Sequence, residues 1–146
     1  MELSELYQEL IIDHGTHPRN CCALDSASHS AEGLNPLCGD KVHVYCQIEE
    51  NRIKAVTFEG SGCAISMASA SLMTEILLDK TVEEADNIFN EFKAMVTDES
   101  TSSHDIGKLE ALAGVKAYPS RVKCATLAWH TLNNALKKSE TAATTE

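Results

Sequence analysis

An α+β fold is predicted by three observations on this 146-residue chain. The first segment has apolar residues at helical spacing. Two segments of alternating pattern follow, joined by a two-residue turn. Four more segments then read as helix, and strands grouped between helices rather than interleaved with them indicate α+β.

The elements follow in order. Leu3, Leu6, Tyr7, Leu10 and Ile11 form a helical stripe over residues 3–13. Gly15 and Pro18 are read as its stop, since glycine suits a helix end and proline cannot continue one. Residues 21–34 are small and polar, a loop with a short edge strand over Ser28–Leu34. In residues 41–49, Val42, Val44, Cys46 and Ile48 face one way while His43, Tyr45 and Gln47 face the other. Glu50-Asn51 is a turn, and Arg52–Glu59 returns as the second arm of an antiparallel hairpin. Beyond Gly60-Ser61-Gly62-Cys63, residues 64–78 read as a helix whose many small side chains permit close packing. Thr81-Val82-Glu83-Glu84 has capping-box form. It opens a helix with Val82, Ala85, Ile88, Phe89, Phe92, Met95 and Val96 on one face. Residues 97–103 are a polar connection, and a short helix over Asp105–Ala113 is closed by Gly114. The last helix starts at Pro119 or Ser120 and runs to about Lys138, with Val122, Ala125, Trp129, Leu132 and Leu136 as its stripe. Residues 1–138 are read as one domain and the Thr/Ala-rich 139–146 as a disordered tail.

Composition narrows the classes of function. A hydrophobic share of 43% and a charged share of 23% are ordinary for a soluble globular domain. No apolar run is long enough to span a bilayer and no leader pattern opens the chain, so the expectation is a cytoplasmic protein that binds no membrane. Twelve basic against 22 acidic residues give a net charge of −10, which argues against nucleic acid as partner. Six cysteines without a secretory leader suggest metal or reactive thiols rather than disulfides.

Cys38, Asp40, Cys63 and Cys124 together offer three sulfurs and one oxygen, a tetrahedral set for zinc. In an extended segment, residues two apart point the same way, so Cys38 and Asp40 can reach one ion, and Gly39 frees the turn between them. Cys63 sits at a predicted helix start, where unpaired amides favour a thiolate. Cys124 lies about a third of a turn off the centre of its helix stripe, with the cations Arg121 and Lys123 nearby to offset a negative site. Each has a plainer alternative: a tight turn with a chance cysteine, or a packing cysteine. Cys46 is in the apolar phase of its strand and reads as core; Cys21 and Cys22 read as incidental loop thiols. His14 and His17 read as cap or surface residues, and His29, His43, His104 and His130 have no ligand spacing.

Three stretches, Asn35-Pro36-Leu37-Cys38-Gly39-Asp40, Gly60–Ser71 and Arg121–Trp129, resemble the SufU proteins of the IscU-like, NifU N-terminal group. The resemblance covers about residues 3–138. It implies a small antiparallel three-stranded sheet packed by helices, and Zn²⁺ held by Cys38, Asp40, Cys63 and Cys124. It implies a sulfurtransferase for iron–sulfur cluster assembly that takes persulfide sulfur from a SufS-type, PLP-dependent cysteine desulfurase, with Cys38 as acceptor and Arg121 and Lys123 in support. IscU scaffolds carry histidine where this chain has Lys123, and the long 64–123 segment also favours the SufU type. Two alternatives stand beside it: a scaffold binding iron or a [2Fe–2S] cluster on the same thiolates, and a domain whose zinc only holds the fold.

Overall fold

The computed structural model describes residues 3–36, 39–97, 107–137 and 143–144. Helix α1 (Leu3–Thr16) is followed by strands β1 (His29–Asn35), β2 (Asp40–Glu49) and β3 (Arg52–Ser61). Helices α2 (Ala64–Leu77) and α3 (Val82–Thr97), a 3₁₀ helix (Gly107–Ala117), helix α4 (Pro119–Leu136) and a two-residue strand β4 (Ala143–Thr144) complete the order.

The sheet runs β3-β2-β1-β4, with both larger pairs antiparallel as expected. Glu49 pairs with Arg52, so Glu50 and Asn51 alone form the hairpin loop. Both have positive φ, at 51° and 65°, the twist that a two-residue hairpin turn requires. A register shift after Gln47 explains why Ile53 and Val56, three apart, both face inward. β4 pairs in parallel with Gly33–Leu34 of β1, within the stretch the sequence suggests is a disordered tail. The alternating pattern of β1 and β2 puts Ala31, Gly33, Asn35, Asp40, Val42, Val44 and Cys46 on the buried face.

That face is covered by α4, which lies across β1 and β2, and by α2 beside it on β3. α1 packs on α2, while α3 and the 3₁₀ helix pack on α4. The core joins Phe58, Leu72, Phe92, Leu112, Leu127 and Trp129. Trp129 stacks with Phe89 and Phe92 at centroid distances of 6.0 and 5.1 Å, and its indole N–H donates to Ser69 Oγ at 3.1 Å. The capping box is formed in both directions: Glu84 N–H donates to Thr81 Oγ1 at 3.1 Å and Thr81 N–H to Glu84 Oε1 at 3.0 Å.

Four readings change. α1 continues through Gly15 to Thr16. A Cβ at Gly15 would lie 3.1 Å from Ala64 Cβ, so this glycine serves the approach of α1 to α2 and not a chain stop. The 3₁₀ helix runs past Gly114 to Ala117, burying Leu109, Ala111, Leu112 and Val115; residues 105–106 lie outside the described part. His14 is buried, not a cap or surface residue, with its Nδ1 2.7 Å from Ser71 Oγ and its Nε2 3.5 Å from Glu75. Cys124 is fully buried although it lies off the apolar stripe, because α4 has the sheet on one side and helices on the other.

Candidate metal site

The β1–β2 connection closes on Asn35 and Asp40, which are cross-strand partners at the last residue of one strand and the first of the next. Both side chains take the buried face, and both are almost wholly enclosed. Asn35 Nδ2 donates to Asp40 Oδ2 at 3.1 Å. The same nitrogen donates to Cys124 Sγ at 3.4 Å, 89 residues away. An amide turned the other way would set its oxygen against a carboxylate and a sulfur, so the acceptors fix its orientation.

Cys63 comes from just beyond the open end of the β2–β3 hairpin. β3 ends at Ser61, Gly62 turns the chain, and Cys63 is the N-cap of α2. Its backbone N–H donates to Asp40 Oδ1 at 2.9 Å, and its Sγ accepts from Ser66 N–H at 3.5 Å. Serine, threonine and aspartate are the usual caps; a sulfur there meets the free amides and the positive end of the helix dipole. Gly62 is required by proximity: a Cβ there would sit 2.3 Å from Asp40 Oδ1. Gly39 has φ +73°, the left-handed conformation its place in the Cys-Gly-Asp run suggests. Cys124, in the second turn of α4, lies 3.7 Å from the Ser120 carbonyl through its Sγ.

One ligand atom each from Asp40, Cys63 and Cys124 all fall within 4.8 Å of one another. Donors about 2.0–2.3 Å from zinc stand roughly 3.3–3.8 Å apart in a tetrahedron. Small side-chain movements therefore close these three around one ion. Two sulfurs and a carboxylate oxygen also suit the borderline-soft character of zinc, and Asn35 Oδ1 is buried here with no partner among the described residues. Leaving such an oxygen unmet costs about 1–3 kcal/mol. The residues fit the metal, with a fourth position left for another donor.

The structure thus brings together three of the four residues expected from sequence. The fourth, Cys38, lies outside the described residues. Lys123 is half-buried in α4, next to Cys124. Arg121 is exposed and lines, with Ile11, Ile12, Ile65 and Tyr118, an open groove of about 690 Å³. Cys46 stays in the core, where burial pushes its thiol up to about 12. Cys21 and Cys22 are exposed on the chain that bridges to Phe58, and burial first, then Cys22 and Glu59, push the Cys21 thiol up. Asn35 is the residue the sequence reading passes over. It stands in the quoted motif, but only strand register and the arrival of α4 give it a role.

Residues 6–125 match the family described as the NifU-like N terminal domain. The chain is 40% identical over 139 residues to the zinc-dependent sulfurtransferase SufU of Bacillus subtilis strain 168, covering 94% of each. It is 37% identical over 142 residues to the iron–sulfur cluster assembly scaffold protein IscU of Streptococcus pyogenes serotype M1, covering 97% of this chain and 89% of that one. Among solved structures it is similar to the SufU protein of Fervidobacterium islandicum AW-1, assigned as a cluster assembly scaffold of the SUF system. That likeness has a TM-score of 0.84 and 35% identity, over 92% of this chain and 99% of the other. No helix among the described residues is long and apolar enough to cross a membrane.

Proposed function

Since the chain belongs to the family of the NifU-like N terminal domain, we propose that it serves iron–sulfur cluster assembly as a zinc-dependent sulfurtransferase. It works in the cytoplasm and takes sulfur from a SufS-type, PLP-dependent cysteine desulfurase. The observation that carries this reading is the convergence of Asp40, Cys63 and Cys124 within 4.8 Å. Those three, with Cys38, would hold Zn²⁺. Bound there, the ion would keep its thiol ligands ionised at neutral pH.

Cys38 is the acceptor. Its thiolate attacks the outer sulfur of the desulfurase's cysteine persulfide. The donor's S–S bond breaks, an S–S bond forms at Cys38, and the donor cysteine leaves as thiolate, so the exchange is redox-neutral. Asp40, Cys63 and Cys124 stay in place, each held by hydrogen bonds that do not involve Cys38. Arg121 and Lys123 supply positive charge beside a site rich in thiolate.

The test is cysteine-to-alanine conversion by a SufS-type desulfurase, with and without this protein, using zinc-loaded and zinc-stripped samples. Stimulation should need the zinc-loaded chain and vanish in Cys38→Ala. Trapped persulfide, mapped by mass spectrometry, should fall on Cys38; persulfide on Cys63 or Cys124 alone overturns the assignment.

A second reading draws on the IscU scaffolds at 37–38% identity: the same thiolates would carry an iron–sulfur cluster. Lys123, where the IscU pattern has histidine, favours transfer. Metal content decides between them. A colourless zinc protein supports transfer, and a brown iron protein supports the scaffold.

A further inference from the structure

We propose that Asn35 is the positioning residue of the metal site: it locks Asp40, Cys63 and Cys124 into a convergent set that does not depend on Cys38. The inference rests on the metal reading above and adds a residue to it.

A single run of hydrogen bonds joins all three donors. Cys124 Sγ accepts from Asn35 Nδ2, which also donates to Asp40 Oδ2. The other oxygen of Asp40 accepts from the backbone N–H of Cys63. The three donors come from a strand end, a helix cap and the second turn of α4, elements that no local rule brings together. An amide NH₂ has two hydrogens, and Asn35 has two acceptors, each a metal donor. Its carbonyl oxygen meanwhile is buried without a partner among the described residues. What Asn35 gives the site is its N–H groups, both directed at metal donors.

Register explains why the position is asparagine. Asn35 faces Asp40 directly across the β1–β2 pair, so a short side chain spans the gap. Aspartate at 35 would set two carboxylates face to face. Leucine would offer the ligands nothing. Groups that hydrogen-bond metal ligands in this way hold them in position, and their loss costs about 10–100-fold in metal affinity. The consequence for transfer is specific. While the Cys38 sulfur is engaged elsewhere, the other three donors are still aligned.

The experiment measures zinc affinity by chelator competition in the full chain, in Cys38→Ala, and in both carrying Asn35→Leu. Thermal unfolding of each zinc-free protein runs alongside. The expected result is a loss of about 10–100-fold from Asn35→Leu in both backgrounds. The zinc-free midpoint should move little, since loss of the unpaired oxygen offsets loss of the bonds to Asp40 and Cys124. Cobalt substituted for zinc should show weakened sulfur-to-metal absorption in the variant. Affinity lowered by less than about tenfold, or lowered in step with the zinc-free midpoint, overturns the proposal. Should Asn35→Leu fail to fold, the near-isosteric Asn35→Asp carries the same measurement, with an equal or larger loss expected. A parent chain that does not bind zinc one-to-one removes the metal reading and this inference together. Normal parent binding with unaffected variants removes only the inference.

Discussion

Two positions on one strand, Asp40 and Cys46, both face the buried side of β2 and both are essentially closed to solvent, at 2% and 0% exposure. Around Cys46 the neighbours are apolar: it belongs to the core with Val44, Val56 and Phe58. Nothing offsets the cost of ionising it, and burial drives its thiol to about 12. Asp40 sits at the strand's first residue, where chain ends meet. There the Asn35 amide and the Cys63 backbone N–H each serve one carboxylate oxygen. Burial alone therefore makes no site. Strand ends do, because they bring free N–H groups and side chains from separate elements to one place.

The widest gap between the two positions should be in metal binding. Asp40→Ala or Cys124→Ala is expected to remove stoichiometric zinc, with an affinity loss above the roughly 100-fold limit of outer-shell changes. Cys46→Ala should bind zinc like the parent while losing on the order of 1 kcal/mol of stability through the small void it leaves. Zinc titration and chemical denaturation of the three variants check this. Normal zinc binding by Asp40→Ala would erase the distinction.

Thiol reactivity sharpens the contrast. With a pKa of about 12, roughly one Cys46 in 10⁴ is ionised at pH 8. Iodoacetamide followed by peptide mapping should label exposed Cys22 readily and Cys46 only after unfolding. Its ionised fraction grows about tenfold for each pH unit below about 12, yet labelling still waits on exposure of the strand. Rapid labelling of Cys46 at pH 8 in the native protein would place it outside the core.

A smaller effect comes from the backbone beneath Asp40. Gly62→Ala places a methyl group 2.3 Å from Oδ1, and the carboxylate must shift. Zinc affinity should fall about tenfold, comparable to loss of a supporting contact. Gly15→Ala, which crowds Ala64 at 3.1 Å rather than the carboxylate, should act on stability before affinity. Equal zinc affinity in Gly62→Ala and the parent would show that Asp40 tolerates the displacement.

What was legible in the sequence divides along the same line. Local signals were readable. The alternation of residues 41–49, the turn at Glu50-Asn51 and the capping box at Thr81 all depend on near neighbours, and each stands where the pattern put it. Asp40, Cys63 and Cys124 could be grouped by donor chemistry and resemblance, and their convergence follows. Contacts between distant elements were not readable. Gly15 looks like a stop until α2 is laid against it, and Cys124 looks off the buried stripe until helices cover the back of α4. Asn35 has no signature of its own, since one acceptor is five residues away and the other 89.

The smallest effect on the site should come from the opposite end of the molecule, and this makes it a control. Thr81→Ala removes the hydroxyl that caps α3 and should cost about 1 kcal/mol with zinc affinity unchanged. Glu84, the other half of the box, has its carboxyl held below the usual 4.5, first by the Thr81 backbone N–H and then by the Thr81 side chain. Its folded pKa is lowered, so its contribution is complete above 4.5 and fades as pH falls through the lower folded value. The stability difference between the parent and Glu84→Ala should therefore be constant from neutral pH down to about 5 and shrink below 4.5. Unfolding curves across that range, paired with zinc titration at neutral pH, test both halves. A cap variant that weakened zinc binding would mean the α3 end and the Asp40 end are coupled through α4, and that the two regions are not independent.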